Sequence, residues 1–239
     1  PTSQHYKDFC YIEKNLKNKI ILFGKPIFDR NIKLKKKLNN KYLVNYNLRE
    51  LNLIKYLKKF ISKNSYFDVN INCSSFLPEW RENIEYSKSS SSKNRYGGGV
   101  LNDLSHEIDY ILWLFGNFKI GYSYLSKISN LKINTNDILS SILFIKKKMI
   151  RVKLDYFSRI PERIININSN KFQLKADLIK NSIIIKRGKN RIKLIKFDDN
   201  IKNTYSLVHK KILSNKFRNL CSLKQGIIVL DYLSKFKKI

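Results

Sequence analysis

The residues best suited to chemistry lie in residues 97–109, Gly-Gly-Gly-Val-Leu-Asn-Asp-Leu-Ser-His-Glu-Ile-Asp. Asp103, His106 and Asp109 follow one another at steps of three, a spacing that aligns side chains along one face of a helix. A row of carboxylate, imidazole and carboxylate beside a glycine run that admits a ligand to the backbone is suited to proton transfer. The segment therefore favours an enzyme.

Structural roles account for the same residues. Asp103 can cap a helix start, where a carboxylate accepts backbone N–H groups, and a lone histidine on a helix is commonly structural. A zinc-protease site is excluded because Tyr110 stands where H-E-x-x-H requires its second histidine. The pattern alone leaves catalytic and structural interpretations open.

The elements that position this segment can be predicted from periodicity. Residues 101–115 are predicted to form a single helix ending at Gly116, because its apolar residues recur at helical spacing. The other helices are predicted at residues 6–16, 33–38, 51–62, 204–213 and 222–236. Strands are predicted at residues 19–23, 42–46, 66–74, 118–125, 137–145, 149–157, 164–168, 171–175, 182–186 and 191–196. The early strand–helix alternation indicates a parallel sheet, whereas the short connections at 168–170 and 188–190 indicate a later antiparallel sheet.

Several short motifs lie along the chain before and after the histidine segment. They are PTSQH at residues 1–5, GKP at 24–26, YNLR at 46–49, FLPEWR at 76–81 and DYFSR at 155–159. Together with residues 96–117 they resemble the motifs of the Gfo/Idh/MocA oxidoreductases, the glucose-fructose oxidoreductase and inositol dehydrogenase family. The resemblance extends over essentially the whole chain.

The resemblance implies an α/β plus α+β protein in two parts. Residues 1–48 would be the rear part of a Rossmann-type parallel sheet, and residues 49–239 an open, mostly antiparallel sheet domain with flanking helices for substrate binding and homo-oligomer contacts. The implied reaction is oxidation or reduction of a secondary hydroxyl or carbonyl of a sugar, sugar derivative or cyclitol. Lys25 would lie beside the reacting carbon, His106 would be the acid/base, and Asp103 would orient them.

The resemblance also implies NAD or NADP as the cofactor. The expected cofactor-binding residues are Pro1, Thr2, His5, Lys25 and Pro26. The expected substrate-binding residues are Arg49, Trp80, Arg81, Tyr96, Asn102 and Asp109. Gly24 departs from the family, which usually has glutamate there, and no metal site is predicted.

The phosphate-binding signature of a dinucleotide domain, G-x-G-x-x-G, does not occur in the sequence. We therefore expect an N-terminally truncated oxidoreductase that lacks about 60–90 residues, two βαβ units, before Pro1. Such a chain should bind NAD(P) weakly or not at all, so that the parent protein is expected to be an enzyme and this chain alone to be inactive. A non-catalytic binding or oligomerisation module derived from such an enzyme is the alternative.

The net charge of +30, from 48 Lys and Arg against 18 Asp and Glu, raises a nucleic-acid alternative. The lysines are scattered in short runs without a known nucleic-acid-binding motif, and abundant Lys, Asn and Ile with a single alanine fits an AT-rich coding sequence. We expect no specific nucleic-acid partner, only weak, salt-sensitive binding. Three dispersed cysteines without C-x-x-C, no membrane-length apolar run and no visible signal peptide favour a cytoplasmic protein without a membrane partner.

Overall fold

A computed structural model of the protein describes residues 1–32, 34, 37–189 and 191–236. Two sheets and the helices beside them share one continuous apolar core. The helices are α1 His5–Asn15, α2 Asn52–Lys63, α3 Val100–Asp103, α4 Ser105–Phe115, α5 Ile201–Leu213 and α6 Leu223–Phe236. The strands are β1 Ile20–Phe23, β2 Lys41–Val44, β3 Asp68–Phe76, β4 Lys119–Ser126, β5 Ile138–Ile145, β6 Lys148–Asp155, β7 Phe157–Asn168, β8 Gln173–Asp177, β9 Ser182–Arg187, β10 Arg191–Lys196 and β11 Cys221–Ser222.

The smaller sheet has the order β1-β2-β11. Its first two strands are parallel, as predicted, whereas β11 returns from near the end of the chain and pairs antiparallel with β2. Helix α6 lies close against β2, because a side chain at Gly226 would come within 2.5 Å of Val44. A segment near the end of the described residues thus pairs with a strand from near their beginning.

The larger sheet has eight strands in the order β10-β9-β8-β7-β3-β6-β5-β4. Neighbouring strands in this sheet are antiparallel, except for β3 and β6, which are parallel. The predicted open, mostly antiparallel sheet is confirmed. Val69, Ile71, Ile165 and Ile167 are fully buried on one face, and burying each such side chain contributes about 1.5–3 kcal/mol.

Three predicted elements differ from the structure or lie partly outside the described residues. The prediction of a single helix over residues 101–115 is wrong, because the chain leaves helical geometry at Leu104 (φ −95°, ψ 26°) between α3 and α4. The strand predicted at residues 164–168 begins much earlier, at Phe157. The helix predicted at residues 33–38 falls partly on residues 33, 35 and 36, and the connection 188–190 includes residue 190, all outside the described residues.

Membrane-spanning helices and metal-binding clusters are both absent from the described residues. No helix among them combines the length and apolar character needed to cross a membrane. The same residues contain no group of three or more His, Cys, Asp or Glu side chains placed to hold a metal ion. Cys10, Cys73 and Cys221 are free thiols.

Candidate functional site

Lys25 lies just beyond the carboxyl end of β1, the end at which parallel sheets bind ligands. Its peptide bond with Pro26 is cis. The turn is fixed by His5, whose Nδ1 lies 3.2 Å from the Pro26 carbonyl and 3.1 Å from the Ile27 carbonyl. The Lys25 ammonium donates to the backbone carbonyl of Asp103. This bond joins the first sheet to the histidine segment.

The glycine run does not offer its backbone to a ligand. The amides of Gly97, Gly98 and Gly99 donate to the carbonyls of residues 94, 93 and 91, at 2.9, 3.2 and 3.0 Å. A side chain at Gly98 would lie 2.2 Å from the Ser90 carbonyl oxygen. Residues 90–92 pack tightly against the glycine run, and Ser92 is fully buried. Only glycine therefore fits at position 98.

The break at Leu104 separates the three residues of the predicted row. The Asp103 carboxylate accepts a 2.6 Å hydrogen bond from the hydroxyl of Tyr156. Tyr156 is held by a turn in which the buried Asp155 carboxylate accepts from the Ser158 amide at 2.9 Å. Asp103 and Lys25 thus meet at one end of α4, next to His106.

His106 is half-buried, and its ring meets the Tyr46 ring edge-on with centroids 5.6 Å apart. Burial lowers the pKa of His106 well below its ordinary value, and the positive charges of Lys25 and Arg163 lower it further. The imidazole is therefore neutral at pH 7. Its Nδ1 atom is buried and has no hydrogen-bond partner among the described residues.

The ammonium of Lys25 is also perturbed. Burial lowers the pKa of Lys25, and the charges of Asp103 and Glu107 oppose that effect. Glu107 itself is fully buried and forms an ion pair with Arg163 at 2.6 Å. A neutral base, a partly desolvated cation and a fixed carboxylate can together move a proton and stabilise charge on a bound oxygen.

Arg49 and Asp109 were both predicted to bind substrate, and the structure places them against each other. Arg49 donates to both Asp109 oxygens, from Nε at 2.9 Å and from Nη2 at 2.6 Å, and both residues are almost fully buried. Arg49 also donates to Gln225 at 2.9 Å. Their arrangement favours a structural role, and direct substrate binding stays a prediction.

The other predicted site residues are distributed around this centre. Pro1 and Thr2 begin the chain beside the glycine run, with Thr2 3.2 Å from where a side chain at Gly97 would begin. Asn102 is buried and donates to the Gly97 carbonyl at 3.0 Å. Trp80 and Tyr96 are half-buried, and Arg81 is exposed.

Four residues at the centre received no role from the sequence. Tyr46 and Tyr156 occur inside the YNLR and DYFSR motifs, so their position in a motif was an available signal. Glu107 adjoins His106, but nothing in the pattern indicates that it is buried. Arg163 lies on β7 without any local signal, because only the tertiary packing of α4 against the large sheet brings it to Glu107.

The described residues fit one end of a nicotinamide cofactor. The Lys25 ammonium and the half-buried His106 ring are the polar groups that could face its nicotinamide end, whereas the Nδ1 atom of His106 is shielded from solvent. They offer no cradle for the pyrophosphate, because the sequence contains no G-x-G-x-x-G and the amides of residues 97–99 are already bonded.

No family model matches the sequence, and no curated protein is a significant sequence match. Solved structures match the fold over nearly the whole chain and about three quarters of their own length. An oxidoreductase from Thermotoga maritima is 16% identical, with a TM-score of 0.78 and coverage of 100% of this chain and 74% of that chain. The WlbA dehydrogenase from Bordetella pertussis, solved with NADH and UDP-GlcNAcA, is 17% identical, with a TM-score of 0.73 and coverage of 100% and 74%.

An inositol dehydrogenase homologue from Azotobacter vinelandii, solved with NADH and myo-inositol, is 11% identical, with a TM-score of 0.72 and coverage of 98% and 72%. These neighbours are oxidoreductases of the Gfo/Idh/MocA type. At such identities the likeness establishes the fold. The protein therefore has the fold of NAD(P)-dependent sugar and cyclitol dehydrogenases.

Proposed function

We propose that the chain carries the reacting centre of an NAD(P)-dependent oxidoreductase acting on a secondary hydroxyl or carbonyl of a sugar, sugar derivative or cyclitol. One observation carries the proposal. Lys25 from the end of β1, Asp103 from α3 and His106 from α4 converge at one place, although 78 residues separate the first two. The half-buried imidazole of His106 is neutral at pH 7 at this point.

In this proposal His106 is the acid/base. Its neutral ring takes the hydroxyl proton when an alcohol is oxidised and returns it when a carbonyl is reduced. The Lys25 ammonium stabilises the negative charge that develops on the substrate oxygen. NAD(P), when bound, supplies the hydride chemistry.

Asp103 and Tyr156 act on the geometry of the centre. Their 2.6 Å hydrogen bond fixes the side chain of Asp103, and the backbone carbonyl of the same residue accepts a hydrogen bond from Lys25. The contact between Tyr46 and His106 limits rotation of the imidazole. The positions of Lys25 and His106 are thereby set before a ligand arrives.

The substrate class rests on the resemblance in sequence motifs and on neighbours whose structures contain UDP-GlcNAcA and myo-inositol. We assign substrate contacts to Trp80, Arg81, Tyr96 and Asn102, with Arg49 and Asp109 supporting the site from behind. Cofactor contacts are assigned to Pro1, Thr2, His5, Lys25 and Pro26.

Two further properties belong to the same proposal. A homo-oligomer formed through the large sheet is supported by exposed aromatic side chains on its outer face, Tyr122, Tyr124 and Phe144, which are 54, 43 and 43% exposed. Light scattering measures the oligomeric state of the wild-type chain and of the Tyr124→Lys variant. A cytoplasmic location is supported by the free thiols.

Ligand binding tests the proposal without requiring turnover. Saturation-transfer difference NMR would be recorded with UDP-sugars, free sugars and cyclitols, on the wild type and on Lys25→Met. We expect saturation of at least one ligand by the wild type and a clear loss in the variant. The matched control is Lys202→Met, an exposed lysine on α5. Absence of binding to every ligand, or equal binding by Lys25→Met, contradicts the proposal.

A further inference from the structure

A cleft lies between α2 and the last hairpin of the large sheet, β9–β10. It has two compartments, of about 230 and 270 Å³, that share Tyr56, Phe60 and Arg187. We name it the basic-aromatic cleft. Its remaining lining residues are Ile185, Arg191, Ile192 and Lys193 in the first compartment and Lys59, Lys63 and Asn64 in the second.

The cations of the hairpin occupy positions on the core-facing side of the sheet. Side chains two apart on a strand share a face, so Arg187 continues the row of the buried Ile183 and Ile185. Register pairs Arg191 with Arg187 and Lys193 with Ile185. Three cations therefore stand where the apolar face would otherwise continue toward α2.

Aromatic rings form the opposite wall. Tyr56 and Phe60 on α2 are stacked, with centroids 6.1 Å apart and an interplanar angle of 21°. The Arg187 guanidinium lies 5.8 Å from the centroid of Phe60 and 6.0 Å from that of Phe172. Rings and guanidinium groups together form a surface on which flat molecules stack.

Among the residues that the structure describes, no carboxylate lines either compartment of this cleft. Within the described part of the chain, none of Lys59, Lys63, Arg187, Arg191 and Lys193 forms an ion pair with a carboxylate. Five close cations without a counter-charge are complementary to a polyanion, and the net charge of +30 adds long-range attraction.

We propose that the basic-aromatic cleft binds single-stranded nucleic acid without sequence specificity. The two compartments follow one another along a shared aromatic wall, so that successive bases can stack there while the cations contact the phosphates. Binding of this kind depends on charge and stacking and reads no base edges. The cleft is separate from Lys25 and His106 and does not depend on their proposed chemistry.

Fluorescence anisotropy with a labelled oligo-dT of about ten nucleotides tests the proposal, since one binding module spans about 4–16 nucleotides. The main variant is Arg187→Gln/Arg191→Gln/Lys193→Gln. The matched control, Lys202→Gln/Lys210→Gln/Lys216→Gln, removes three exposed lysines from α5 and the turn after it. Circular dichroism verifies that each variant is folded.

We expect wild-type dissociation constants of about 10⁻⁶ to 10⁻⁴ M, and about a tenfold or greater loss in the cleft variant against less than about threefold in the control. The salt slope should fall by about 2 for the cleft variant, because each phosphate contact on a single strand contributes about 0.7. Equal losses in the two triple variants would overturn the proposal, since charge alone would then explain binding.

The stacking component has its own readout on the unchanged protein. An abasic oligonucleotide of the same length keeps the phosphates and removes the bases, so we expect it to bind at least about fivefold more weakly than oligo-dT. Phe60→Leu should lose a similar factor for oligo-dT and none for the abasic strand. Equal binding of both strands by the wild type, or equally tight binding of inorganic polyphosphate, would overturn the assignment to nucleic acid.

Discussion

Replacing Asp109 by asparagine separates a structural role for this carboxylate from a ligand-binding one. Asp109 accepts two hydrogen bonds from Arg49, and the two side chains are 2 and 3% exposed. Asparagine keeps the shape and one acceptor oxygen, but it leaves the buried guanidinium without a counter-charge. Removing one partner of a buried ion pair costs about 3–5 kcal/mol.

Urea unfolding followed by circular dichroism measures this loss. For a chain of this size it corresponds to a fall in the thermal midpoint of about 6–20 °C, at about 2–4 °C per kcal/mol. The matched control is Asp231→Asn, which breaks an ion pair with Lys235 whose side chains are 47 and 52% exposed. An exposed pair contributes about 0–1 kcal/mol.

The double variant Arg49→Met/Asp109→Leu completes the comparison. It removes both charges, and we expect it to recover more than half of the stability that Asp109→Asn loses, because no uncompensated charge remains. The reasoning is refuted if Asp109→Asn unfolds within about 1 kcal/mol of Asp231→Asn. Such a result would return Asp109 to the ligand-binding residues.

Three further substitutions probe the glycine run, the tyrosine at the site and the histidine. Gly98→Ala should lower the free energy of unfolding, measured in urea, by about 1–3 kcal/mol through overpacking, because its methyl group would lie 2.2 Å from a carbonyl oxygen. The control Gly24→Ala should lose less, because its methyl group would lie 3.2 Å from a ring carbon of His5. Tyr156→Phe removes a hydrogen bond to a carboxylate and should cost about 1.5–3 kcal/mol in the same assay; an unchanged midpoint would show that this bond is not formed in solution. The pKa of His106 is lowered in the folded protein, so the unfolded chain takes up a proton at higher pH and stability should fall as the pH drops below about 6.5. Urea titrations at several pH values should show a smaller fall for His106→Asn. A pH dependence equal to that of the wild type would contradict the lowered pKa.

The fold was largely predictable because its signals are local. Alternating apolar residues and short polar connections marked the strands of the large sheet, and the amphipathic pattern marked α2. Non-local pairings could not be obtained in this way. The parallel contact of β3 with β6 and the return of β11 to β2 depend on tertiary register, which periodicity does not encode.

The site was predictable in part for the same reason. Lys25, Asp103 and His106 belong to motifs, and the structure brings them together. The break at Leu104 was missed because the apolar spacing continues across it. Arg163 was missed because its contact with Glu107 spans 56 residues and has no sequence signature.

Turnover tests the central claim most directly. The rate of nicotinamide reduction at 340 nm would be measured with NAD⁺ or NADP⁺ at millimolar concentration and the UDP-sugars, sugars and cyclitols that bind. At this cofactor concentration, which offsets the weak binding expected without a pyrophosphate-binding motif, the account predicts substrate-dependent reduction that falls by about 10²–10⁴-fold in His106→Asn. The same rate should persist in His209→Asn, which changes an exposed histidine on α5. No turnover with any substrate, or equal rates in the two histidine variants, would contradict it.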